Sequence, residues 1–248
     1  MNALPLTRCV IIIPLVLIFN SCFAQFNDTT NYVINYNTGG SINKTDDSKT
    51  YLLNNAVRFG VKKKTISLNF NNNWVYGKQN RQLTNNDFSS SLDFNLYRTF
   101  PHFFYWGLVN YNTSKSLKIN NQLLAGAGVA YSIYDRPNAY LNISDGILFD
   151  SSDLILESGI NDVYQTYRNS LRLTFNFVIS KIIVIGNSSF LQSSLNNGDD
   201  YIIKSNSSLS FKVNRWLSLT TNYNYNRISR TDRENSLLSY GLTFERYF

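Results

Sequence analysis

The chain carries one histidine, His102. A serine hydrolase embedded in a membrane would need that imidazole beside a serine and an orienting third group. His102 follows Pro101 inside a turn signal, so the sequence places it in a solvated turn and not beside a nucleophile. Carboxylates gather at Asp145, Asp150 and Asp153 and again at Asp199 and Asp200. Oxygen ligands can hold calcium, but neither group has the regular spacing of a calcium loop, so ordinary loop solvation is the expectation. The reading is therefore of a protein that is not an enzyme, with no catalytic residue, metal or cofactor. What remains is electrostatic. Arg58, Asp93, Arg168, Arg172, Lys204, Lys212 and Glu245 each sit at a polar position of a segment in which apolar and polar residues alternate. If those segments are strands, the seven face one lumen. There they either pair and fill a small interior or line a pore and set its preference for ions and solutes.

Positioning these residues requires elements of period two. In the last stretch, 236–248, Leu238, Tyr240, Leu242, Phe244 and Phe248 fall on one face and Ser239, Gly241, Thr243, Glu245 and Tyr247 on the other, with Arg246 alone interrupting the apolar side. Tyr240, Leu242, Phe244 and the terminal Phe248 make this stretch similar to the closing strand of bacterial outer-membrane β-barrels. That similarity implies barrel-assembly machinery as a partner, with outer-membrane lipid and lipopolysaccharide around the finished protein.

Twelve alternating segments can be counted between Asn31 and Phe248. The clearest besides the last is 166–179, with Leu171, Leu173, Phe175, Phe177 and Ile179 opposite Arg172, Thr174 and Asn176. Segment 103–112 is apolar on both faces, so its facing stays open. The connections read as long polar loops, 78–86 and 151–165 among them, alternating with short turns. Trp74 and Tyr76 near a loop, and Phe104, Tyr105, Trp106 and Trp216 near turns, suggest two aromatic girdles. The expected fold is all-β: an antiparallel up-and-down transmembrane barrel of twelve strands with both termini periplasmic. Soluble sandwiches also alternate, but they would bury these faces.

Residues 1–24 read as a signal peptide, with Arg8 as the basic residue, an apolar run 10–19 and a small-residue site ending at Ala24. The mature chain then begins at Gln25 as a single domain, 25–248. An acylated Cys22 is the alternative. Cys9 and Cys22 both lie in the excised part, which leaves the mature chain without thiol chemistry. After the signal the longest aliphatic run is 182–185, far short of the roughly 20 residues a helical span needs. The short distance from Gln25 to the first segment leads to the expectation that no plug or passenger domain precedes the barrel.

The formal charge is +7. In an exported protein that balance points away from nucleic acid and toward anionic lipid, wall polymer or solute. Lys62, Lys63, Lys64, Arg98, Arg136, Lys181, Lys212 and Arg215 cluster near the short turns against Asp135 alone, which suggests a basic rim.

Between Phe103 and Tyr131 the chain reads FFYWGLVNYNTSKSLKINNQLLAGAGVAY. Tyr105, Trp106, Tyr111, Gly126, Gly128 and Tyr131, continued by Gly146 and Ser170-Leu171-Arg172-Leu173, resemble the domain-of-unknown-function 481 family of salt-induced outer-membrane proteins. The resemblance covers about residues 103–248 and implies an outer-membrane barrel with no catalytic residues to carry over. The functional expectation is a narrow passive channel for ions or small solutes. The alternatives are a closed barrel supporting the envelope under osmotic stress and, behind both, a lipid-modifying enzyme.

Overall fold

The computed structural model describes residues 31–44, 48–136 and 138–248. The expected signal segment and the start at Gln25 lie outside them. The described chain forms twelve strands: β1 (Tyr32–Lys44), β2 (Lys49–Lys63), β3 (Ile66–Gln79), β4 (Gln82–Phe100), β5 (Phe103–Ser114), β6 (Ile119–Arg136), β7 (Ala139–Ile155), β8 (Asn161–Ile179), β9 (Ile183–Ser194), β10 (Tyr201–Lys212), β11 (Leu217–Ile228) and β12 (Arg233–Tyr247). Each pairs antiparallel with its neighbours in sequence, and β1 pairs with β12 to close a barrel. Closure removes every sheet edge, so strands that are half polar still satisfy their backbone groups.

The alternation sorts the faces. On β12, Tyr240, Leu242, Phe244 and Phe248 lie with the outward set and Ser239, Gly241, Thr243, Glu245 and Tyr247 with the inward set, in register with β11 and β1. On β5 the odd positions Phe103, Tyr105, Val109 and Tyr111 are exposed, while Phe104, Trp106, Asn110 and Asn112 are buried inside. This corrects the girdle reading: Tyr105 belongs to the outer belt, but Phe104 and Trp106 do not. An alternating count could not decide between two apolar faces.

The connections are shorter than their polarity suggests. The stretch 78–86 is not a loop: β3 and β4 pair through Gln79 and Gln82 and turn on Asn80 and Arg81, both at positive φ (49° and 70°). Two such residues suit the right-handed twist of a tight hairpin. Likewise most of 151–165 belongs to β7 and β8, which pair out to Ile155 and Asn161. Polar residues on a hairpin read as a loop where they interrupt the apolar alternation that marks a strand. His102 does occupy a turn, between β4 and β5, with φ 68°. We call the end holding Asn31 and Phe248 proximal and the opposite end distal. Lys63, Lys64, Arg136, Lys181 and Arg215 lie at proximal turns, with Lys62 and Lys212 beside them.

Candidate functional site

The lumen is partly filled. One filled part lies against the inner faces of β5 to β7. Trp106 points inward from β5 and packs with Phe104, Ala130 and Leu148. Its ring lies against Gly128 of β6 and Gly146 of β7. A Cβ on Gly146 would stand 2.5 Å from Trp106 Cζ2, and one on Gly128 would stand 2.8 Å from Cε2. Glycine is needed here because no side chain leaves room for the indole. The indole N–H donates to the carbonyls of Val129 (3.2 Å) and Asp145 (3.3 Å), which removes the cost of burying that polar atom.

Arg172 locks the plug. From β8 its Nη1 reaches Asp93 Oδ1 on β4 at 3.3 Å, a chord that bypasses β5, β6 and β7. The guanidinium carbon stands 5.7 Å from the Trp106 ring and 5.5 Å from that of Phe190. Aromatic faces attract a cation at such distances.

The distal end of the same sector is capped by buried ion pairs. Arg168 has no exposed surface. Its Nε donates to Asp150 (2.6 Å), Nη2 to Asp200 Oδ1 (2.8 Å) and Tyr164 Oη (3.1 Å), and Nη1 to the Asp200 carbonyl (3.1 Å). Arg230, in the turn between β11 and β12, bridges Asp200 (2.7 Å) and Asp162 (2.6 Å) and stacks on Tyr164 at 3.8 Å. Burial works against its charge, but the hydrogen bonds it donates to Asp200 and Asp162 hold its pKa above the ordinary arginine value. Leu117, Ile119, Leu154, Ile202 and Ile228 form the apolar part of the cap. Asn235 of β12 reaches Ser116 across the mouth at 2.8 Å.

The rest of the lumen holds open volume, walled by β4, β5, β8 and β9 as well as by β1 to β3 and β10 to β12. A cavity of about 530 Å³ lies next to Arg172, Phe190, Lys204, Asn71, Asn206 and Asn226. A second, of about 260 Å³, is lined by Asn35, Asn37, Asn54, Asn222, Thr220 and Thr243. The two share Ala56, Asn73 and Asn224 as walls. Amides and hydroxyls dominate both linings.

The seven residues singled out from the sequence fall in different places. Asp93 and Arg172 form the chord, Arg168 the cap, and Lys204 the wall of the larger cavity. Arg58 donates to Asn69 Oδ1 (2.7 Å), and Glu245 accepts from Asn35 (3.3 Å), both toward the proximal end. Lys212 is the last residue of β10, at that end too. The carboxylates seen as loop residues are split by parity. Asp145 faces outward and accepts from Asn169 (2.8 Å), Asp150 is buried in the cap, and Asp153 accepts from Asn120 (3.2 Å). Asp199 is exposed, whereas Asp200 is buried with two arginines. Solvation is therefore the wrong description of Asp150 and Asp200. His102 makes a ring contact with Tyr131 at 6.0 Å, and its side chain has no serine or carboxylate partner among the described residues. Sequence reasoning missed Trp106 as a lumen residue. The inward pair Gly128 and Gly146 was the available signal, since two facing glycines leave a space that a large side chain must fill.

A family model described as "Protein of unknown function, DUF481" matches residues 34–245. Among solved structures, the barrel superimposes on the NanC porin with a TM-score of 0.53 at 10% identity, covering 85% of this chain and 98% of that one. An outer membrane channel from Pseudomonas putida F1 gives 0.48 at 11% identity, over 94% and 100%. The translocator domain of the autotransporter NalP from Neisseria meningitidis gives 0.47 at 13%, over 89% and 90%. At such identities the likeness is one of fold. No curated protein matches the chain.

Proposed function

The chain belongs to the DUF481 family, and from that premise we propose that it is a non-enzymatic outer-membrane channel for small polar solutes, with its path along the amide-lined sector. The observation that carries this reading is the pair of adjoining cavities sharing Ala56, Asn73 and Asn224, set beside a Trp106 plug that leaves this volume open. A partly filled twelve-stranded barrel lies between side-chain-filled small barrels and open porins. A lining of amides exchanges hydrogen bonds with water or a hydroxylated solute at little cost.

In this reading the proximal end, with both termini and the basic turns, faces the periplasm, and the projecting β7–β8 hairpin faces outside. Tyr240, Leu242, Phe244 and Phe248 serve the assembly machinery, and the outward belt meets lipid and lipopolysaccharide. The basic rim would meet anionic lipid or wall polymer. Residues 1–24 supply the export signal.

Planar-bilayer recording on the refolded chain from Gln25 tests the path. Discrete small steps are expected. Ala56→Trp, placed in the shared wall, should suppress them, and Trp106→Ala should enlarge them. Verified insertion with no steps in either the native chain or Trp106→Ala would reject the channel. It would favour instead a closed barrel that supports the envelope, a reading the buried ion pairs of the cap otherwise serve equally well.

A further inference from the structure

Many lumen amides bond to neighbouring amides or hydroxyls. In the filled sector Asn112 donates to Asn110 (2.8 Å) and Gln122 (3.2 Å), Asn110 donates to Ser89 (3.1 Å), and Ser89 donates back to Asn112 (2.8 Å). Along β1 and the far side of β12, Asn37 donates to Thr243 (2.7 Å) and accepts from Asn222 (3.3 Å). One block differs. Lys204 and Asn206 on β10 stand opposite Asn226 and Asn224 on β11 in direct register, and all four line the larger cavity. None of the four side chains makes a hydrogen bond or ion pair with another described residue. On the other flank Lys204 is opposite Phe190 of β9, which is opposite Arg172 of β8. The larger cavity is thus bordered on one wall by a row of cation, aromatic ring and cation, backed by three unspent amides.

We propose that this block is a binding site for a small hydroxylated carboxylate, a sugar acid in size and chemistry, held with its carboxylate between Lys204 and Arg172. The charge argument is local. Asp93 is committed to Arg172, and Asp87, also on the cavity wall, already accepts from Ser114, Ser116 and Asn85. The Lys204 ammonium alone lacks a counter-charge within bonding distance, and an enclosed cation without one favours an anionic guest. Arg172 gives one of its five N–H groups to Asp93, which leaves others to donate. Amides both donate and accept, as hydroxyls do, so Asn206, Asn224 and Asn226 match a polyol better than a bare ion. The Phe190 ring between the cations offers a flat apolar surface to the C–H face of a ring. A volume near 530 Å³ is within the usual range for small-ligand sites.

This proposal deepens the channel reading and relies on it only for the arrival of the solute. Trp106, with its ring 5.7 Å from the Arg172 guanidinium, is a built-in reporter once Trp74 and Trp216 are changed to Phe. Detergent-solubilised barrel with that background is titrated with D-glucuronate, D-glucose and inorganic phosphate, following Trp106 emission, with gel heat-modifiability as the check of folding. A saturable change with glucuronate at least tenfold tighter than with glucose or phosphate is expected. It should be lost in Lys204→Met, retained in Lys204→Arg, and weakened several-fold in the double variant Asn206→Ala, Asn224→Ala. No saturable change, or equal affinity for glucose, overturns the site. Phosphate binding as tightly as glucuronate overturns the hydroxylated class. Because binding is read without a membrane, silence in the bilayer with intact glucuronate binding would reject the channel and leave the site standing.

Discussion

The β5–β8 sector and the β10–β3 sector are built from strands of the same alternating kind, yet they use their inward side chains in opposite ways. In the first, the groups that fill the interior have partners: Trp106 two carbonyls, Arg168 two aspartates and a tyrosine, Asn112 two amides. In the second, Lys204, Asn206, Asn224 and Asn226 have none and face open volume. Polar groups with committed partners stabilise and specify a fold, whereas uncommitted ones are free to act on something else. Within the first sector β6 to β8 are also long, 17 to 19 residues against 12 for β5 and for β9 to β11. The extra length projects the cap that β10 and the β11–β12 turn then complete.

The contrast can be broken most forcefully at Arg168. Arg168→Met leaves Asp150 and Asp200 buried without their shared cation, and a loss of about 3–5 kcal/mol is expected in urea unfolding of the micellar barrel. A loss below 1 kcal/mol would mean that the cap does not hold the filled sector together. Trp106→Ala should cost about 3–4 kcal/mol through the cavity left on the Gly128–Gly146 shelf, and its larger conductance would tie that loss of stability to a widened path. A matched pair of amide deletions sharpens the comparison further. Asn112→Ala strips a buried network and should cost about 1–2 kcal/mol, while Asn224→Ala, which breaks no internal bond, should stay within about 0.5 kcal/mol. Equal costs would erase the distinction between committed and uncommitted amides. The smallest effect belongs to His102→Gly. The left-handed φ at that turn is less favourable for histidine than for glycine, so the change should raise the unfolding free energy slightly, by about 0.5 kcal/mol.

Much of the barrel was legible because period-two patterning does not depend on distant contacts. Leu171 to Ile179 opposite Arg172 to Asn176 assigns both faces of β8 with no knowledge of its neighbours, and the closing strand does the same for β12. The reading failed where that signal is ambiguous or masked. On β5 both faces are apolar, so alternation leaves the facing open, and proximity to a turn suggests a girdle for Trp106 although it plugs the lumen. On the β3–β4 hairpin both faces are polar, and on the β7–β8 hairpin polar residues interrupt the alternation, so paired strands read as loops. Arg172 and Lys204 were identified as inward by parity, but not that one is held by Asp93 while the other is unpaired.

The sequence by itself determined the strand count, the inward and outward sets on most strands and the character of the lumen as polar and charged. These depend on alternation along each strand, which is a local property. Only the tertiary structure decided which inward groups meet. The Asp93–Arg172 chord crosses three intervening strands, and the cap joins Asp150, Asp162, Asp200, Arg168 and Arg230 from four separate stretches. Such contacts depend on barrel closure and on the stagger between strands, which bring residues far apart in sequence to the same depth of one enclosed space.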